Sequence, residues 1–80
     1  MAELIQRGQA NKTSPGSLTI SFPTKYKSKP VVVISPYWQG QNKQISYIPT
    51  INKVTKKNFQ VVSDNYADNY YVSWIAVGEV

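Results

Sequence analysis

The chain reads as short runs in which apolar and polar residues alternate, broken every several residues by proline, glycine or a cluster of polar residues. Leu18, Ile20 and Phe22 point one way and Ser17, Thr19 and Ser21 the other, the period of a half-buried strand. A first strand is predicted over Ala2 to Arg7, short and at an edge, followed by a polar loop from Gly8 to Gly16. After Pro23, Thr24 to Lys29 form a basic turn that contains Tyr26. Pro30 to Ser35 is apolar on both faces, so a second sheet or another protomer should cover it. Pro36 to Lys43 read as a loop, and Gln44 to Asn52 as a fourth strand in which Pro49 argues for an edge or a bulge. Val54 to Asn58 make a turn, Phe59 to Val62 a fifth strand, Asp64 to Asn69 a polar loop and Tyr70 to Gly78 the last strand. No window places apolar residues at helical spacing over three turns. The expectation is all-β: one domain over residues 1–80, a six-stranded antiparallel β-sandwich in two layers.

Size sharpens that expectation. Eighty residues sit near the limit at which one hydrophobic core offsets the entropy of folding. The chain has no Cys, so no disulfide braces it, and with no His and four carboxylates a zinc site is not expected. Burial against copies of itself is the remaining brace, and the doubly apolar run Val31 to Ile34 is its natural place. The first residues have neither a basic nor an apolar signal region, and no stretch is long enough to span a membrane. A soluble product made in the cytoplasm follows, with release by a leaderless route or within a particle left open.

Charge and residue types also narrow the chemistry. Nine Lys and Arg against four acids give a net charge of +5, carried mostly by Lys25, Lys27, Lys29, Lys53, Lys56 and Lys57. Solvated loop lysines are the plain reading, with a nucleic-acid or anionic surface as the sharper one. Without His or Cys the usual general base and thiol nucleophile are missing, phosphate-binding glycine motifs are absent, and no cofactor is expected. Binding rather than catalysis is the expected work. The loops are rich in aromatics beside Asp and Asn, and sugars offer C–H faces that stack on rings and hydroxyls that pair with carboxylates and amides. Trp38, Asn42, Asp64, Asn65, Tyr66 and Asp68 are therefore the candidate carbohydrate-binding residues. Each has a plainer role as well: Asp and Asn favour turns, and Trp38 could anchor a subunit contact. Trp74, within the apolar last strand, is expected in the core.

Three segments, in order, carry a family resemblance. Ile20-Ser21-Phe22-Pro23-Thr24-Lys25-Tyr26-Lys27-Ser28-Lys29-Pro30-Val31-Val32-Val33 resembles a strand–turn–strand of the H-type lectins, those of snail agglutinin and the discoidin C-terminal domain. Val54-Thr55-Lys56-Lys57-Asn58-Phe59-Gln60-Val61 is similar to a second motif of that family, with Asn58 where it has Gly, and Val72-Ser73-Trp74-Ile75-Ala76-Val77-Gly78 to its closing motif. A closely similar pattern ends many phage tail-fibre proteins. The lectin resemblance implies a trimer, often paired into a hexamer, that binds galactose or N-acetylgalactosamine between protomers. Tyr66 and Asp68 then stand where those lectins place a loop aromatic and an acid. The Arg of their fourth strand is missing, Ser46 standing near its place, and there is no His to meet the sugar. A glycan-binding lectin is the favoured reading. A structural or receptor-binding module of a phage tail or secreted particle, without a monosaccharide site, is the alternative.

Overall fold

The structure, a computed structural model, describes residues 2–13, 15–38, 48–64 and 70–80, without the side chain of Trp38. Candidate residues Asn42, Asn65, Tyr66 and Asp68 lie outside it, as do residues 44–47 of the strand predicted over Gln44 to Asn52. Six strands and no helix make up the described residues: β1 Glu3–Asn11, β2 Gly16–Ser21, β3 Val31–Trp38, β4 Thr50–Val54, β5 Asn58–Ser63 and β6 Tyr70–Glu79. They form two three-stranded antiparallel sheets, ordered β1-β6-β3 and β2-β5-β4. The expected all-β sandwich of six antiparallel strands is the observed one.

Alternation decides what each strand buries. On β6, Tyr70, Val72, Trp74 and Ala76 are buried while Tyr71, Ser73, Ile75 and Val77 alternate with them on the outer face. On β5, Phe59, Val61 and Ser63 face inward. Ile51 and Val54, three apart on β4, would fall on opposite faces of a regular strand. A register shift between Ile51 and Lys53 changes the phase, so both pack on the core. Between the sheets Phe22 meets Tyr26 edge-on at 5.1 Å and stacks on Phe59 at 5.6 Å, and Trp74 meets both Phe22 and Phe59 edge-on at 5.8 and 5.4 Å. Trp74 is core, as expected, and the four rings form the centre of the molecule.

Two local expectations are corrected, and one turn residue proves to be core. The first strand does not stop at Arg7 but runs through Gly8 to Asn11, paired with β6 throughout. A glycine normally weakens a strand; here it makes room, since a Cβ at Gly8 would stand 2.8 Å from Nε1 of Trp74. Tyr26, on the predicted basic turn, is 1 % exposed, its hydroxyl 3.1 Å from the Ala76 carbonyl and 3.3 Å from that of Leu4. Pro36, Tyr37 and Trp38 are not loop but the end of β3, opposite Val72, Tyr71 and Tyr70. β3 is an edge strand, and an edge tolerates a proline that has no ladder hydrogen bond to donate. Shorter adjustments follow from the same pairing: β4 begins after Pro49, and the turn between β4 and β5 is narrower than Val54 to Asn58. It is closed by Thr55, whose Oγ1 accepts from the Lys57 and Asn58 amides at 3.2 and 3.1 Å.

Gly8→Ala should destabilise the fold by about 1–3 kcal/mol through overpacking against the indole. In a Trp74→Phe background, which removes the ring atoms it would strike, the same change should cost measurably less. Urea unfolding of the four proteins of that double-mutant cycle measures the difference.

Candidate functional site

The strands run alternately up and down, so the connections gather at two ends. One end carries both termini, where the Val80 amide donates to the Ala2 carbonyl at 3.1 Å, together with the Pro23–Pro30 turn and the Thr55–Lys57 turn. The other receives the ends of β1, β3 and β5 and the starts of β2, β4 and β6. Trp38 and Tyr70 are register partners there, and Ser63 is paired with Gly16. Of the six candidate sugar residues, the structure places two, the Trp38 backbone and Asp64, and it places both at this second end. The residues that flank the other four lie there too.

A polar cluster underlies this end. Lys12 follows β1 in phase with Leu4, Gln6, Gly8 and Ala10 and so turns inward; it is 3 % exposed. Its Nζ donates to the Ser63 carbonyl at 3.3 Å and its backbone amide to the Tyr70 carbonyl at 2.8 Å. Burial pushes the Lys12 ammonium below its ordinary value, and the Asp64 carboxylate draws it partly back up. The Tyr70 hydroxyl is likewise buried, without a hydrogen-bond partner among the described residues, and burial raises its pKa. Asn11 acts locally. Its Oδ1 accepts from the Thr13 amide at 3.0 Å and from the Thr13 hydroxyl at 2.6 Å, closing the turn out of β1. Reading Gly8 as a loop residue hid Lys12. Had the alternation been carried through that glycine, the inward lysine would have been visible in the sequence.

On the outer face of β1-β6-β3, Tyr37 and Tyr71 face each other across the strands with ring centroids 6.2 Å apart. Below them the small pair Ser35 and Ser73 leaves an open groove whose lining includes Val33 and Ile75, with Gln9 donating to the Ser73 hydroxyl at 3.2 Å. Farther down, the face is apolar: Ile5, Val31, Val33 and Ile75 are 62, 71, 60 and 43 % exposed. The opposite outer face is mostly polar, with Ser17, Thr19, Ser21, Gln60, Thr50 and Lys53. No group of His, Cys, Asp or Glu among the described residues could hold a metal ion.

The family model described as "Putative tail fiber protein gp53-like, C-terminal" matches residues 3–79. This falls on the tail-fibre side of the resemblance noted in the sequence. Among solved structures, an N-truncated R1-type pyocin tail fiber is similar with a TM-score of 0.70 and 20 % identity, covering 95 % of this chain and 70 % of that one. At that identity the likeness is one of fold. No curated protein matches the chain.

Two variants test the polar cluster. Tyr70→Phe should raise stability by about 1 kcal/mol, because it removes a buried donor that has no partner among the described residues, and thermal unfolding would measure it. For Lys12 the sign runs with pH. Its folded pKa lies below its ordinary 10.5, so the unfolded chain holds more protons between the two values. The stability that Lys12 contributes is therefore present above 10.5 and lost as pH falls through the folded pKa. The unfolding free energy of the native protein minus that of Lys12→Met should grow more positive from about pH 7 to about pH 10.

Proposed function

The chain belongs to the gp53-like tail fibre C-terminal family, and from that premise we propose that it is a receptor-binding and assembly module at the end of a phage-type tail fibre. Its work is binding, without catalysis, and it is carried on the particle. The observation that supports this reading best is the polarity of the sandwich. Both termini lie at one end of the sandwich, and the opposite end, bearing Trp38, Asp64 and Tyr70, is clear of them and is taken as the tip. A connection pole mounted on a rigid β-scaffold is where recognition residues are commonly placed.

Assembly is the second half of the proposal. Copies of the chain meet through the outer face of β1-β6-β3, where Ile5, Val31, Val33, Ile75 and Val77 lie side by side. A contiguous apolar surface on one side of so small a domain marks a contact, and a symmetric trimer satisfies it. Light scattering at micromolar concentration should return a multiple of the 9.0 kDa chain mass; a monomer would overturn the assembly. Because Val33 is exposed in the single chain, Val33→Asp should dissociate the oligomer and leave a folded protomer, seen as unchanged β circular dichroism at monomer mass.

Glycan is the receptor chemistry that the tip residues suit best. Exposed Asp64 offers a carboxylate there, and Asn42, Asn65, Tyr66 and Asp68 belong to the segments that join the tip strands. Asp68→Asn should weaken glycan-array binding by roughly 1.5–3 kcal/mol, the worth of a charge-assisted hydrogen bond, with the assembly mass unchanged. Glycan binding unaffected by Asp68→Asn and by Tyr66→Ala would leave the module with assembly and a receptor of another class.

A further inference from the structure

We infer that the end opposite the tip is a second binding surface, built for an anionic polysaccharide. Six of the nine Lys and Arg residues converge there, and sequence alone spreads them over two separate stretches. Lys25, Lys27 and Lys29 stand on the Pro23–Pro30 turn, Lys53 near the end of β4, and Lys56 and Lys57 on the next turn; all six are exposed. The two turns are joined directly, since the Phe22 amide donates to the Lys57 carbonyl and the Tyr26 amide to that of Lys56, both at 2.9 Å. Neither turn contains an acid, and the carboxylates at this end are Glu3 and Glu79, register partners on β1 and β6. Ordinary surfaces intersperse the two signs of charge. The two turns gather a single sign, with Glu3 and Glu79 on the neighbouring strands.

The surface is also held still. The Gln6 amide both donates to the Thr24 carbonyl and accepts from the Thr24 amide, each at 2.8 Å. Tyr26 plugs the turn into the core, and the Lys27 amide donates to the Glu79 carbonyl at 2.7 Å. A charged loop fixed before binding loses less freedom on binding a partner.

The chemistry of the partner follows from what the two turns lack. Their one aromatic, Tyr26, is buried, so no ring is offered for the base stacking on which single-stranded nucleic acid binders rely. They expose no large apolar side chain to anchor a protein partner. Lysine ammonium groups are point charges on flexible stems, suited to repeated anions without fixed geometry. A sugar chain bearing sulfate, phosphate or carboxylate groups fits that description. This inference does not depend on the tip or on its receptor.

The test compares dextran sulfate, polygalacturonate, uncharged dextran and a single-stranded oligonucleotide of matched charge, by fluorescence anisotropy on the whole chain. Dextran sulfate and polygalacturonate should bind and uncharged dextran should not, with affinity falling at least about tenfold between roughly 50 and 200 mM salt. Replacing Lys25, Lys27 and Lys29 by Gln, or Lys53, Lys56 and Lys57 by Gln, should each weaken binding at least tenfold. Lys43→Gln, in the segment between β3 and β4, should change it less than threefold. Binding that survives both triple replacements would overturn the inference. An oligonucleotide bound tenfold more tightly than either charged polysaccharide would overturn it in favour of a nucleic-acid surface.

Discussion

The contact of the Trp74 indole with the backbone of Gly8 is the constraint from which the rest of the molecule follows. In a domain this small one aromatic cluster supplies most of the interior, and its largest ring must lie flat against a neighbouring strand. Gly8 lets it do so: a side chain there would sit inside van der Waals distance of three indole atoms. With the indole seated, β1 runs unbroken beside β6 for nine residue pairs, and Phe22 and Phe59 close on the ring from the other sheet. Gly78 repeats the device at the far end of β6, where a Cβ would stand 2.8 Å from Tyr26 and 3.0 Å from Pro30. Two glycines thus admit two large aromatics, and the pair locks the N- and C-terminal strands together.

Because β1 is long, its inward face reaches the end that bears Ser63, Asp64 and Tyr70, and Lys12 is buried there. Burying an ammonium is costly, and so is burying the Tyr70 phenol, whose hydroxyl finds no partner among the described residues. Folds retain such groups most often where structure is subordinate to recognition. The other end shows the opposite treatment of charge. Its lysines are kept fully in solvent while the turns that bear them are hydrogen-bonded to the sandwich and to each other. The domain therefore has two chemically distinct ends and one apolar flank. This division suits the sideways assembly and the binding at the tip that are proposed for the domain.

Much of this was legible in the sequence. Period-two alternation marked β2, and strand-favouring residues between turn residues marked part of each other strand, because an antiparallel sheet in water on one side repeats inward and outward residues at that spacing. The unbroken apolar run Val31 to Ile34 announced that a strand's outer face wants cover, and the structure divides it into Val32 and Ile34 packing on the core and Val31 and Val33 exposed. Trp74 was readable as core from its neighbours. The absence of Cys and His bounded the chemistry before any fold was known.

Other features were decided only by tertiary structure, and each for a physical reason. Glycine is locally a strand breaker, so Gly8 looked like the start of a loop until a ring from the sixth strand occupied the space above it. Tyr26 sits among lysines and prolines; its burial depends on carbonyls of Leu4 and Ala76, at opposite ends of the chain. Pro36 suggested a loop because its tolerance in a strand depends on that strand being an edge, which is a property of the sheet and not of the residue. Two lysine groups separated by more than twenty residues become one surface only when two turns share backbone hydrogen bonds. Periodicity reports what a residue's near neighbours demand of it, and so it determined the strands; closure of the two sheets brings distant residues into contact, and that alone determined the ends.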